Sequence, residues 1–90
     1  MGWSIKIDEP TKKELAKLGD SAAKDILKFL RKRIATDEDP RRFGDPLRKD
    51  LSGLWKYRVG AYRVIADIQD DVVVVLVVRV AHRKNAYGGH

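Results

Sequence analysis

The segment DVVVVLVVRV, residues 71–80, constrains this chain more than any other. Its apolar core, Val72 to Val78, is far shorter than the roughly 20 residues a membrane-spanning helix requires. β-Branched side chains are stiff at χ1 and suit a pleated surface, so the segment is expected to be a strand. Its residues are apolar at both parities, which calls for cover on both faces. A central position in a sheet is therefore predicted.

The remaining elements can be placed around this strand. Trp3, Ile5 and Ile7 alternate with Ser4, Lys6 and Asp8, the period of two of a short N-terminal strand over residues 1–8. Glu9-Pro10-Thr11 opens a helix, because proline has no N–H to lose in a first turn and Glu9 complements the helix dipole. Gly19 ends it. A second helix runs from Asp20 or Ser21 to about Thr36, with Ala23, Ile26, Leu27, Leu30 and Ile34 as its apolar stripe and Lys24, Lys28, Arg31 and Lys32 outside. Residues 9–36 thus form a helical hairpin. Pro40, Gly44, Pro46 and Gly53 mark residues 37–53 as a loop. Strands are predicted over Leu54–Val59, Ala61–Ile68 and Val72–Ala81, joined by turns at Gly60 and at Gln69-Asp70-Asp71, as an antiparallel meander over 54–81. The expected fold is a single α+β domain, residues 1–90, with one sheet and the helix pair packed on one face.

Charge carries the first hint of function. Nineteen Lys and Arg against thirteen Asp and Glu give a net charge of +6, which favours a polyanion or an acidic partner. The excess is concentrated: Lys24 to Arg33 holds five cations and one acid, and Arg41 to Arg58 holds six and two. The competing reading is a merely solvated surface. There is no cysteine, which excludes disulfides and thiolate metal sites and fits a reducing cytoplasm. The opening MGWSIKIDEP lacks the pattern of a signal peptide, so a cytoplasmic protein without membrane contact is expected.

Strand parity sorts the candidate site. Lys56 and Arg58 point away from Trp55, Tyr57 and Val59; Arg63 points away from Tyr62 and Val64; Arg79 and Arg83 share a parity on the last strand. Hairpin pairing would therefore gather Lys56, Arg58, Arg63 and Arg83 on one sheet face, opposite the helices. Like charges repel, so such a cluster makes most sense when a phosphate fills it, although a solvated face that discourages aggregation would look the same. Arginine offers a bidentate fork and lysine a point charge. The same set suits RNA cleavage by attack of the 2′-OH on the adjacent phosphorus. That reaction needs a base, cationic stabilisation of the phosphorane and help for the leaving oxygen. Positive neighbours favour the neutral amine that a lysine base must be. Arginine is a poor acid, so Arg83 fits better as a stabiliser of the transition state. His82 and Lys84 beside it are candidate RNA contacts, although alternation turns His82 away from Arg83. Tyr87 could stack on a base. Two histidines, no cysteine and no glycine-rich phosphate loop leave neither a familiar zinc site nor a nucleotide cradle, so no metal or cofactor is expected. The acidic pairs Asp37/Asp39 and Asp70/Asp71 lie in turns, where acids serve the backbone.

The run Leu51-Ser-Gly-Leu-Trp-Lys-Tyr-Arg-Val-Gly-Ala-Tyr-Arg-Val-Ile65 and the ending Val80-Ala-His-Arg-Lys-Asn-Ala-Tyr87 resemble the RelE/ParE toxin superfamily, and Asp45-Pro-Leu-Arg48 is similar to its loop before the sheet. The resemblance covers essentially the whole chain and implies a RelE-like, microbial-RNase-type fold. It further implies a toxin of a type II toxin–antitoxin system, an endoribonuclease that cuts messenger RNA in the ribosomal A site. A RelB-like antitoxin would hold it inactive, and the joint complex would bind operator DNA and repress its own operon. By position, Lys56 matches the family's proposed general base, Arg63 the arginine on the scissile phosphate and Arg83 the arginine at the leaving group. Tyr87 falls where a tyrosine orients the RNA. Arg58 stands where the best-known member has a second lysine, which keeps charge but not acid–base range. The rival within the superfamily is a ParE-like inhibitor of DNA gyrase without nuclease activity. A cationic face of this kind is also expected to attract an acidic, amphipathic antitoxin segment that folds on contact.

Overall fold

The computed structural model describes residues 2–85. Strand β1 (Ser4–Ile7) leads into helix α1 (Glu9–Lys17) and helix α2 (Asp20–Phe29). Asp8 caps α1, its side chain accepting from the Thr11 N–H at 3.0 Å, and Pro10 lies in the first turn as predicted. Gly19 takes φ +95° between the helices, a conformation that suits glycine.

The second helix does not run unbroken to Thr36. From Leu30 to Ile34 it widens into a π turn, closed by the Ala35 N–H donating to the Leu30 carbonyl at 2.8 Å. The buried residues of this stretch are Ala22, Ile26, Leu30 and Ile34. Leu27, expected in the stripe, is instead 39 % exposed, at an apolar groove shared with Ile5, Ile7 and Leu30. Hydrophobic spacing gives the direction of a stripe but not its width, and α2 lies so that Leu27 falls on the rim.

Among the described residues the sheet has five strands, where the sequence pattern suggests four. Strand β2 (Gly44–Pro46) forms inside the expected loop and pairs antiparallel with β3 (Trp55–Val59). Strands β4 (Tyr62–Gln69) and β5 (Val74–His82) complete the antiparallel meander, and the order is β1-β5-β4-β3-β2. The valine-rich β5 is internal, as its composition requires. Its pairing with β1 is parallel, Ser4↔Val74 through Ile7↔Val77, so the sheet is mixed. Gly44 fits closely where it stands: a Cβ there would meet the Tyr57 ring at 3.1 Å and the Lys56 carbonyl at 3.3 Å.

Tyr57, Val64, Ala66, Val75, Val77 and Val80 face the helices and meet Leu15, Ile26, Leu30 and Ile34 in one core. One member of each acidic turn pair, Asp39 and Asp70, makes a structural contact. Asp39 accepts from the Arg41 N–H at 3.0 Å, and the Arg41 guanidinium also pairs with Asp70 in the β4–β5 turn while lying over Trp55. Asp70 in turn holds Arg41 firmly protonated, and Arg41 keeps the Asp70 carboxyl below its ordinary range.

That turn holds the clearest backbone strain. Val72 and Val73 do not extend β5; Val73 has φ +55°, where its Cβ crowds the backbone. Val73→Gly is expected to raise stability by about 1 kcal/mol, read as a higher urea midpoint at unchanged slope. A lower midpoint would mean that the side chain, 39 % exposed, contributes more than the strain costs.

Candidate functional site

Registers decide which cations meet. Arg58 and Arg63 are directly opposed across β3 and β4, Lys56 faces Ile65, and Ile65 in turn faces Arg79 on β5. Directly opposed residues share a face with their Cβ atoms about 5 Å apart, so two rows run across the sheet: Lys56–Ile65–Arg79 and Arg58–Arg63–Ala81. Helices α1 and α2 cover the other face. The strand irregularity lies between the Ile65 and Ala66 pairings, which skip Val78, and leaves residues 79–83 in regular alternation. Beyond Val77, β5 has no β1 residue at its side, and Glu14 of α1 takes the Val80 N–H at 3.1 Å. The ladder then continues past β5 itself: the Arg83 N–H donates to the Ala61 carbonyl at 2.8 Å. This places Arg83 on the same face as Arg63, one row further along, opposite Ala61. The structure thus brings Lys56, Arg58, Arg63 and Arg83 to one face.

The members differ in how firmly they are held. The two-residue turn Gly60-Ala61 depends on Gly60 at φ +59°, and the Gly60 carbonyl and that of Tyr62, first in β4, fix Arg63. One Arg63 terminal nitrogen, Nη1, donates to both Gly60 O at 3.0 Å and Tyr62 O at 2.8 Å. Guanidinium carries five donors, so a fork anchored at one nitrogen still has others to offer an anion. Arg58 and Arg83 are exposed, and among the described residues neither is engaged in an ion pair. Lys56 is half-buried, with Asp45 of β2 as its cross-strand neighbour. That carboxylate could not be placed from sequence, because β2 was not recognisable as a strand.

Opposing Arg58 to Arg63 on a sheet costs stability, since like charges directly across a pair repel. A phosphate between them reverses the sign. The face offers several cations at about the spacing of strands, 4.7–4.9 Å, which suits successive contacts to one or two phosphate groups.

Two other candidates lie elsewhere. His82 pairs in register with Tyr62, on the helix side, with the two rings edge-to-face at 5.7 Å between centroids. Its Nδ1 accepts from the Lys84 N–H at 3.3 Å, so His82 shapes the turn after β5 rather than joining the cationic row. Lys84 is exposed in that turn. Tyr87 falls outside the described residues. The cation that strand parity reaches but that received no role above is Arg79, half-buried in the first row.

Known proteins share this organisation. The sequence model for the ParE toxin of the type II toxin–antitoxin system parDE matches residues 5–87. Toxin RelG of Mycobacterium tuberculosis is 29% identical over 87 residues, covering 97% of this chain and 98% of the relative. Toxin RelE of the same organism is 31% identical over 85 residues, covering 94% of this chain and 86% of the relative. Among solved structures, a chain of the M. tuberculosis toxin–antitoxin complex RelBE2 superposes with a TM-score of 0.84 at 28% identity, over 92% of this chain and 100% of that one.

Proposed function

This chain belongs to the RelE/ParE superfamily of toxins of type II toxin–antitoxin systems, and from that membership we propose that it is a ribosome-dependent endoribonuclease that cuts messenger RNA in the A site. The observation that carries the reading is the single face holding Lys56, Arg58, Arg63 and Arg83.

Each role follows from placement. Lys56, as the free amine, takes the proton of the 2′-OH. The 2′-oxygen then bonds to phosphorus while the bond from phosphorus to the 5′-oxygen breaks, giving a 2′,3′-cyclic phosphate and a 5′-hydroxyl. Arg63, held by the Gly60 and Tyr62 carbonyls, is presented to the equatorial oxygens, and Arg58 opposite adds the second cation. Arg83 offsets the charge that builds on the departing 5′-oxygen, which takes its proton from solvent. Lys84 contacts the backbone outside the scissile group, and Tyr87 orients a base. No step calls for a metal ion or cofactor.

The partner follows from the same charge. An acidic, amphipathic RelB-like antitoxin neutralises the face or displaces the segment after β5, and operator DNA is reached only through the joint complex. The solved relative is itself a toxin–antitoxin complex, which supports such a partner.

Primer extension on a defined message, with and without programmed ribosomes, tests the reading. Cuts that appear only with ribosomes, and vanish when the antitoxin is added, are the expected result. A folded protein that cuts in neither condition overturns it. The ParE description of the matching family model favours the second reading, a gyrase inhibitor without nuclease activity. In that case loss of gyrase supercoiling would be the positive result.

A further inference from the structure

Arg79 stands on the cationic face, in the row it shares with Ile65 and Lys56. Its Nη2 donates to the main-chain carbonyl of Asn85 at 2.9 Å, six residues along the chain. Its Nε is buried and has no hydrogen-bond partner among the described residues. A buried N–H without an acceptor carries a desolvation penalty, and an unbranched apolar side chain would fill the same slot without it. Stability alone therefore does not account for a guanidinium here.

The bond to Asn85 has a geometric consequence. The turn that follows β5 is otherwise fixed by three contacts: Arg83 N–H to the Ala61 carbonyl at 2.8 Å, Asn85 N–H to the His82 carbonyl at 2.7 Å, and Lys84 N–H to His82 Nδ1 at 3.3 Å. The first ties it to the β3–β4 turn and the other two close it on itself. Among the described residues, only the Arg79 contact ties the far end of the turn, at Asn85, back to the sheet. Arg83 and Lys84 lie between the Ala61 anchor and this one, so both ends of the segment that carries them are pinned.

We propose that Arg79 is a positioning residue, latching the turn at Asn85 so that Arg83 is held over the phosphate bound by Arg58 and Arg63. The proposal rests on the RNA-cleaving reading above. It deepens that reading by giving a role to a side chain that touches neither the reacting atoms nor the leaving group. A latch acts through the placement of Arg83, which matters most in the transition state, so its loss appears in kcat. A cation that simply attracted RNA would appear in KM and would weaken with salt.

Arg79→Met and Arg79→Lys separate these cases. Cleavage is followed on programmed ribosomes at several ribosome concentrations, and amide hydrogen exchange of Lys84 and Asn85 is measured in the free protein. Arg79→Met is expected to fold with an unreduced Tm and to lose kcat by about 10–100-fold, with KM within about twofold and faster exchange at both amides. Arg79→Lys, which keeps a donor of similar reach, is expected to recover most of both signals. Wild-type kcat and exchange in Arg79→Met would overturn the latch, as would a loss confined to KM that steepens with salt. A wild type that does not cut at all would overturn the RNA-cleaving reading and this proposal together. A wild type that cuts beside an equally active Arg79→Met would overturn this proposal alone.

Discussion

Arg83→Ala is expected to slow ribosome-dependent cleavage by about 10²–10³-fold while leaving the fold intact. The contact that fixes Arg83 in place uses its backbone N–H, to the Ala61 carbonyl at 2.8 Å, which alanine keeps. The side chain itself is exposed and engaged in no ion pair among the described residues, so its removal leaves no buried group behind. What disappears is a cation on the face that holds Arg63, where the proposed mechanism develops charge on the leaving oxygen. The rate on programmed ribosomes, measured under saturating conditions, reads the loss in kcat. Lys56 provides the complementary test. Lys56→Ala removes both charge and base, whereas Lys56→Arg keeps the charge and puts in a group that does not give up its proton near neutrality. If Lys56 is the base, both variants lose at least about 10²-fold. A Lys56→Arg variant with near wild-type cleavage would reduce Lys56 to an electrostatic role, and wild-type rates in Arg83→Ala would remove the proposed site.

Tyr57 is expected to have the largest effect on stability. It is fully buried, packs against Phe29 at 5.8 Å between ring centroids, and donates its hydroxyl to the Pro40 carbonyl at 2.9 Å. It thereby joins the sheet, the helix pair and the segment leading to β2. Tyr57→Ala is expected to cost about 3–5 kcal/mol, through lost transfer energy and the cavity left behind. A domain of this size has roughly 5–13 kcal/mol in all, so the melting temperature should fall by about 15–30 °C. Tyr57→Phe keeps the ring and leaves the Pro40 carbonyl without its donor, at about 1–3 kcal/mol.

The same residue sets a pH limit. Burial, opposed by Arg41 and reinforced by Asp39, pushes the Tyr57 hydroxyl from 10.0 up to about 12. In the unfolded chain the phenol loses its proton near its ordinary value, while the folded protein retains it. The stabilisation is complete below pH about 10 and is lost as the pH rises through about 12, by roughly 2–3 kcal/mol. Urea melts between pH 9 and 12 are expected to show this decline in the wild type and not in Tyr57→Phe. Equal slopes in the two proteins would assign the decline to other groups.

The balance on the cationic face is a trade between these two demands. Arg58 opposite Arg63 weakens the β3–β4 pair, and Arg79 holds a buried Nε without an acceptor among the described residues. Core residues such as Tyr57, Ile26 and Val77 supply the stability against which these costs are set.

The sequence by itself determined the order of the elements, the internal place of the valine-rich strand and the shared face of Lys56, Arg58, Arg63 and Arg83. The reason is that alternation along a strand is a local property, and a two-residue turn at Gly60 fixes the register of the hairpin that follows it. The start of the first helix at Glu9-Pro10-Thr11 and its end at Gly19 were equally legible, because these residues act within one turn of their own positions. Tertiary structure alone decided what depends on distant partners. The parallel pairing of β1 with β5 joins residues about 70 apart, and β2 is three residues, Gly44–Pro46, whose only strand-forming influence is the edge of β3 beside them. The exposure of Leu27, the strained Val73 and the carboxylate of Asp45 beside Lys56 follow from those pairings rather than from any pattern. Arg79 shows the boundary most clearly: parity assigns its face, but its bond to Asn85 exists only because the chain turns back after β5 and brings a carbonyl to meet it.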